Sequence, residues 1–349
     1  MSNSIKHIAI IRLSAMGDVA MTVPVIRALV EQNPEVRITV VSRPFFKPFF
    51  DGMDTVNFFA VDVKNQHKGL LGVLKLYSDL QKLNIDAVAD LHNVLRSKII
   101  RTLFALSGKK VAFTNKGRAE KKALTRSKNK VFKPLQSMFE RHVETFKKLR
   151  FTVDLSKPNF PKKAILSNEI LSISGKKESF HWIGIAPFAQ YDSKVYPQDL
   201  MQNVIDELAS SRSLGITKIF LFGGGKKEIE VLNQFSKEKE NVIVVAGKLT
   251  LQQELELISN LDVMLSMDSG NAHIAAMLEI KVITFWGATH PFAGFSPFNQ
   301  PLENALVSDR NLFPKLPTSV YGNKKVKGYE EAMRTISAES VIDKINSIF

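Results

Sequence analysis

Five short segments carry side chains able to do chemistry, and each lies where a β-branched run gives way to a helix-like pattern. The first, Leu13-Ser14-Ala15-Met16-Gly17-Asp18, pairs a glycine that permits a tight turn with a carboxylate able to take a proton from a hydroxyl. Asp18 fits the N-cap of the following helix equally well. The second, Pro187 to Pro197, holds Lys194. As a point charge it suits a phosphate, and it also fits a plain exposed loop lysine. The third, Phe222-Gly223-Gly224-Gly225-Lys226, is a glycine-rich turn at a helix start, which presents backbone N–H groups to an anion. Glu228, just beyond it, suits ribose hydroxyls or bulk water.

The fourth segment is the most informative. In Ser266-Met267-Asp268-Ser269-Gly270 a strand ends and an Asp-Ser-Gly turn opens a helix containing Ala272, His273, Ala275 and Ala276. Small residues let that helix lie close to the sheet, and its N-terminal dipole end and N–H groups suit a diphosphate. Asp268 repels phosphate and suits sugar hydroxyls instead. His273 on a helix also fits a buried, satisfied histidine. No second His or carboxylate stands at metal-ligand spacing, so no metal site is expected. The fifth, Thr284 to Pro291, adds the Gly287 turn and the Thr289 hydroxyl.

Several enzyme classes lack their motifs. Lys226 follows the glycines directly with no Ser or Thr after it, so the GxxxxGK[ST] phosphate loop is absent, and so is GxGxxG. A nucleotide-sugar epimerase of the GxGxxG and YxxxK type is therefore disfavoured. With no cysteine, disulfides, thiolate catalysis and cysteine zinc sites are excluded.

These loops must be held by alternating strands and helices. Strands are expected at 8–12, 37–41, 56–61, 87–90 and 110–113, with helices over 19–32, 70–83, 95–106 and 136–149. A Pro-bearing connector follows over 151–177. The rhythm then restarts with strands at 181–186, 218–222, 242–245, 263–266 and 282–285 and helices over 198–211, 226–235, 251–259 and 272–278. The βαβα order implies parallel sheets, and ligands of such sheets bind beyond the carboxyl ends of the strands. The expected organisation is α/β with a first domain over 1–165, a second over 178–335, and a terminal helix in 336–349 packing back on the first domain.

The 349 residues carry a net charge of +14. Between Arg96 and Arg150 stand 17 Lys or Arg against Glu120, Glu140 and Glu144, a difference equal to the whole excess. Such a stretch attracts polyanions, and it also fits a solvated basic loop. No zinc-finger, RNP-like or helix-turn-helix pattern accompanies it, so nucleic acid is not the expected partner. No apolar run reaches the roughly 18–20 residues that span a bilayer, and no signal-peptide pattern opens the chain. A cytoplasmic protein is expected.

Taken in order, the five segments resemble glycosyltransferase family 9, the ADP-heptose:lipopolysaccharide heptosyltransferases. The matching residues are Met16-Gly17-Asp18 and Pro24, Ser193-Lys194-Val195-Tyr196-Pro197, and the glycine turn before Glu228. Asp268-Ser269-Gly270 with His273 and Ala275-Ala276, and Gly287-Ala288-Thr289-His290-Pro291, complete the set. The resemblance implies a GT-B-like fold, with two Rossmann-like domains whose parallel sheets face a central cleft. It implies an inverting, metal-independent enzyme without a cofactor. A monomer is expected, in the cytoplasm and peripheral on the inner face of the membrane. The donor would be ADP-heptose, with another nucleotide sugar as the alternative, and the acceptor a phosphorylated lipopolysaccharide-core glycolipid in an anionic leaflet.

By the same resemblance Asp18 is the catalytic base, with Met16 and Gly17 at the acceptor. Lys194 takes the donor phosphate, and Asp268 takes the donor sugar, with Ser269, Gly270 and His273 beside the donor. Glu228 takes the ribose, and Gly247 to Leu249 cradle the adenine. The chain departs from the family's pattern at Ala189 and Gln190, at Tyr196 in place of Trp, at His290 in place of Asp, and in the cysteine-free stretch Val320 to Gly328. That last stretch is expected to bear on acceptor preference. A non-catalytic carbohydrate-binding protein on the same fold is the competing class, and Asp18, Lys194 and Asp268 together argue against it.

Overall fold

The computed structural model describes residues 5–211 and 215–349, which form two compact units. The first comprises the chain up to Gly117 and Gln136–Phe160. The second comprises Arg118–Leu135 and Pro161–Phe349.

In the first unit, β1 (His7–Ile11), β2 (Arg37–Ser42), β3 (Val56–Ala60), β4 (Ala87–Asp90) and β5 (Lys110–Phe113) form one parallel sheet in the order β3-β2-β1-β4-β5. β1 and β4 are buried at every position, as expected of strands covered on both faces. The helices are α1 (Met16–Ala20), α2 (Val23–Gln32), α3 (Gly69–Gln81) and α4 (Leu95–Leu106). Val73, Leu76 and Leu80 of α3 and Ile100 and Phe104 of α4 pack with Ile11, Val41 and Val88 in one apolar cluster. The chain then forms α5 (Arg118–Thr125) in the second unit and returns with α6 (Met138–Lys148), which opens on a Ser137–Glu140 capping box.

The second unit begins its regular structure at α7 (Asn168–Ser174) and runs through β6 (His181–Ala186), α8 (Gln198–Ser210), β7 (Thr217–Leu221), α9 (Lys226–Phe235) and β8 (Val242–Val244). It continues with α10 (Leu251–Ile258), β9 (Val263–Met267), α11 (Gly270–Met277), β10 (Lys281–Trp286), β11 (Ala305–Val307) and α12 (Ala338–Asn346). Its parallel sheet has the order β11-β10-β9-β6-β7-β8. In each sheet the direction of chain progression reverses once, between β1 and β4 in the first and between β6 and β9 in the second.

Four expectations need correction. The helix expected over 19–32 is two helices, because Pro24 has no N–H and its ring crowds the carbonyl four residues back. The chain between 118 and 135 belongs to the second unit, so the basic stretch divides between the two. It is held there by buried Leu124 and by Lys130, whose Nζ donates to Leu124 O and Pro317 O at 2.9 and 2.6 Å. The connector over 151–177 contains α7, which buries Ile170. The terminal helix α12 packs on α8, within the second unit, because Val341 and Ile345 join the apolar cluster of Val204 and Leu208.

Glu254 lies in the first turn of α10, and burial pushes its carboxyl up to about 7. An unfolded glutamate titrates near ~4.3. The folded state therefore holds the extra proton between those values, and stability falls as pH rises through that window. Thermal melting of Glu254→Gln should show a gain over the parent that is small at low pH and reaches about 2–4 °C above pH 7. A gain independent of pH would refute this assignment.

Candidate active site

Two groups of loops gather at the carboxyl ends of the sheets, each at the reversal where neighbouring loops diverge and leave room for a ligand.

In the first unit the group lies beyond β1 and β4. α1 starts at Met16, so Asp18 is the third residue of its first turn and Ala15 occupies the N-cap position. Asp18 Oδ2 accepts from Ala15 N at 3.3 Å, which replaces the side-chain N-cap role considered for it. It also pairs with Arg12, which is buried and donates Nη1 to Leu91 O at 2.8 Å. Arg12 thereby links the end of β1 to the end of β4 and orients a carboxylate that keeps 33% of its side-chain exposure. Met16 and Gly17 are half-buried beside it.

His92 completes this group, and motif reading missed it. Asp90, fully buried at the end of β4, accepts from His92 N at 3.0 Å and Asn93 N at 2.7 Å and pairs with Arg101 at 2.9 Å. The turn so fixed puts His92 Nε2 3.4 Å from Ser14 Oγ. Burial, then the charges of Arg12, Lys116 and Arg43 against the pull of Asp18, push His92 down to about 3. Its imidazole is neutral at ordinary pH. The available signal was positional: His92 follows β4, the strand next to β1 across the reversal.

In the second unit, Lys194 follows β6 and Asp268 follows β9, the two strands at the reversal. Lys194 Nζ lies 3.0 Å from Asp268 Oδ2, with side-chain exposures of 13% and 9%. An ammonium has three donors, so the pair leaves capacity for a phosphate. Ser269 is the N-cap of α11 and Gly270 its first residue, and Ser269 Oγ lies 3.1 Å from Ser266 Oγ. First-turn N–H groups have no partner within their own helix, which suits an anion there. His273 is buried one turn on.

A further loop braces the lysine. Ser193 O accepts from Ala288 N at 3.1 Å, and Ser193 Oγ donates to Gly322 O at 2.6 Å. Thr318 N and Ser319 N both donate to Ala288 O, at 2.9 and 3.1 Å. The stretch expected to bear on the acceptor thus lies against Lys194. Gly322 has φ +84°, and a Cβ there would meet Lys194 Cδ at 2.5 Å. Only glycine takes that conformation without strain. Gly322→Ala should lower the melting temperature and weaken nucleotide binding about tenfold by displacing the lysine stem. Calorimetry reads the second effect, and unchanged affinity would remove Gly322 from the lysine's support.

The remaining residues lie along the same sheet edge. Glu228 Oε2 accepts from Gly224 N at 2.8 Å. The Gly224 N–H of the glycine turn therefore already serves the chain's own carboxylate. Gly247, with φ +74°, and half-buried Leu249 follow β8. Tyr196 is structural, stacking on Phe285 at 4.5 Å and donating to Ile336 O at 2.7 Å. His290 is structural too. Burial, with Arg310 and Lys130, pushes it down to about 4, and Nδ1 accepts from Phe292 N at 3.1 Å.

Known proteins share this chain's sequence pattern and its fold. The model of glycosyltransferase family 9 (heptosyltransferase) matches residues 73–323. Lipopolysaccharide heptosyltransferase 1 of Campylobacter coli is 23% identical, over 98% of this chain and 98% of that protein. The crystal structure of a family 9 glycosyltransferase from Veillonella parvula superposes with a TM-score of 0.75 at 19% identity, covering 100% of this chain and 98% of the other. The E. coli heptosyltransferase WaaC with ADP gives 0.65 at 20% identity, covering 98% and 97%.

Proposed function

The chain belongs to glycosyltransferase family 9, the heptosyltransferases of lipopolysaccharide core synthesis, with the α/β fold of GT-B enzymes, and on that premise we propose that it transfers a heptose from ADP-heptose to a phosphorylated core glycolipid. The observation that carries this reading is the Lys194–Asp268 pair at the β6/β9 reversal, beside the N-terminus of α11. A cation, a hydroxyl acceptor and a helix N-terminus side by side suit a sugar diphosphate. Glu228, with one carboxylate oxygen on Gly224 N, suits the ribose, and Gly247 to Leu249 the adenine. The ADP held by the solved WaaC supports the choice of base.

In the proposed reaction Asp18 removes the proton of an acceptor hydroxyl, whose oxygen attacks the anomeric carbon opposite the leaving ADP. One displacement inverts the centre through an oxocarbenium-like transition state. Charge gathering on the departing diphosphate is met by Lys194 and the α11 N-terminus. These groups supply the positive charge from the chain itself, so the reaction is proposed to need neither metal nor cofactor. The acceptor is anchored in an anionic leaflet on the cytoplasmic side, and the protein acts there as a monomer.

Titration calorimetry with ADP, GDP and UDP, with and without Mg²⁺, tests the donor. Selective binding of ADP, unchanged by Mg²⁺, is the expected result. Preference for GDP or UDP would keep the transfer chemistry and overturn the ADP-heptose donor.

A further inference from the structure

The first unit bears a surface that the proposed chemistry does not use. α3 buries Val73, Leu76 and Leu80, yet turns three leucines the other way: Leu70 is 65% exposed, Leu71 81% and Leu74 43%. Positions i, i+1 and i+4 share one side of a helix, so these form a single ridge. α4 packs beside α3 and repeats the pattern. Its Ile100 and Phe104 are buried, while Leu95 and Leu106 are 76% and 80% exposed, at either end of one stripe about 16 Å long. Arg96 Nη1 donates to His67 O at 2.7 Å, tying the start of α4 to the turn that opens α3. Leu95 therefore lies alongside the beginning of the α3 ridge.

The charge around these leucines has one sign. Residues 63–78 contain three Lys and no acid, and residues 91–113 contain five Lys or Arg and no acid. Lys68, Lys75 and Lys98 are exposed among the leucines, and the nearest acid on α3, Asp79, is held by Lys75 and Lys82 at 3.0 and 2.9 Å. Grouped apolar exposure marks an interaction surface rather than ordinary solvent contact. We propose that the outer face of α3 and α4 is a membrane-docking surface that inserts its leucines among the headgroups of an anionic lipid leaflet. A helix face of leucines flanked by lysines suits that boundary: the leucines leave water and the lysines meet anionic lipid. A second copy of the chain would set like charges against each other, and nucleic acid would leave the leucines in water.

Vesicles without any acceptor glycolipid test this apart from the transfer reaction. Because the chain has no cysteine, Leu71→Cys or Leu95→Cys in the full chain takes a single environment-sensitive fluorophore. The control is Ile165→Cys, at a position 94% exposed in the second unit. Both leucine positions should report an apolar environment on phosphatidylethanolamine vesicles containing phosphatidylglycerol, weakly on phosphatidylcholine, and the control on neither. Leu70→Ser with Leu71→Ser should weaken partition about tenfold or more with the melting temperature unchanged, and added salt should weaken it further. Vesicle binding with no response at positions 71 and 95 would overturn the proposal. So would an absence of vesicle binding, or a concentration-dependent dimer that the paired serine substitutions abolish.

Discussion

Asp18→Ala is expected to lower turnover about 10²–10⁴-fold while nucleotide affinity changes less than about twofold. The carboxylate belongs to the first unit and the proposed nucleotide residues to the second, so base and donor binding should separate. The alanine also removes the carboxylate partner of buried Arg12, which donates as well to Leu91 O, and that alone lowers stability. Asp18→Asn distinguishes the two effects. It keeps an oxygen facing Arg12 but cannot accept the proton, so turnover should fall as far as in the alanine variant while the melting temperature falls less. Wild-type turnover in Asp18→Asn would remove Asp18 as the base. Steady-state rates with ADP-heptose and a core acceptor, beside calorimetry with ADP, supply both readings.

Lys194→Ala should cost about 10²–10³ in rate, the usual loss for a donor aimed at developing charge, and should weaken ADP binding as well. The structure gives a reason to expect more than the loss of one contact. Lys194 and Asp268 are a nearly buried pair, and removing one partner of such a pair leaves an uncompensated charge, at a cost of about 3–5 kcal/mol. In the single variant that charge is also a carboxylate beside the proposed diphosphate position. Adding Asp268→Asn should therefore recover most of the lost melting temperature without restoring turnover. Recovery of both would show that the lysine acts only by neutralising Asp268. Recovery of neither would mean that the pair is not coupled in the folded protein.

Much of the architecture was legible in the chain. Strands 87–90, 110–113 and 181–186 and helices 95–106 and 226–235 have the expected bounds, and the other expected elements shift by one to four residues, because parallel strands and amphipathic helices write their period into a few neighbouring positions. The chemistry-bearing loops were legible for the same local reason, since Asp18, Lys194, Glu228 and Asp268 each follow a strand. α5 and α7 were not, because short helices with many Lys, Ser or Glu residues carry little apolar signal.

By itself, then, the sequence determined the alternation of strands and helices, the residues presented at the strand ends, and the sign of the charge. Tertiary structure alone decided which loops became neighbours. Sheet order set Ser14 beside His92 and Lys194 beside Asp268, although 78 and 74 residues separate them. It also carried 118–135 into the second unit and laid the 318–322 loop on Lys194. Local periodicity tells a strand which faces to bury but not which strand to lie beside. That choice rests on ladder pairing and core packing between distant segments, where the whole chain's burial decides the order.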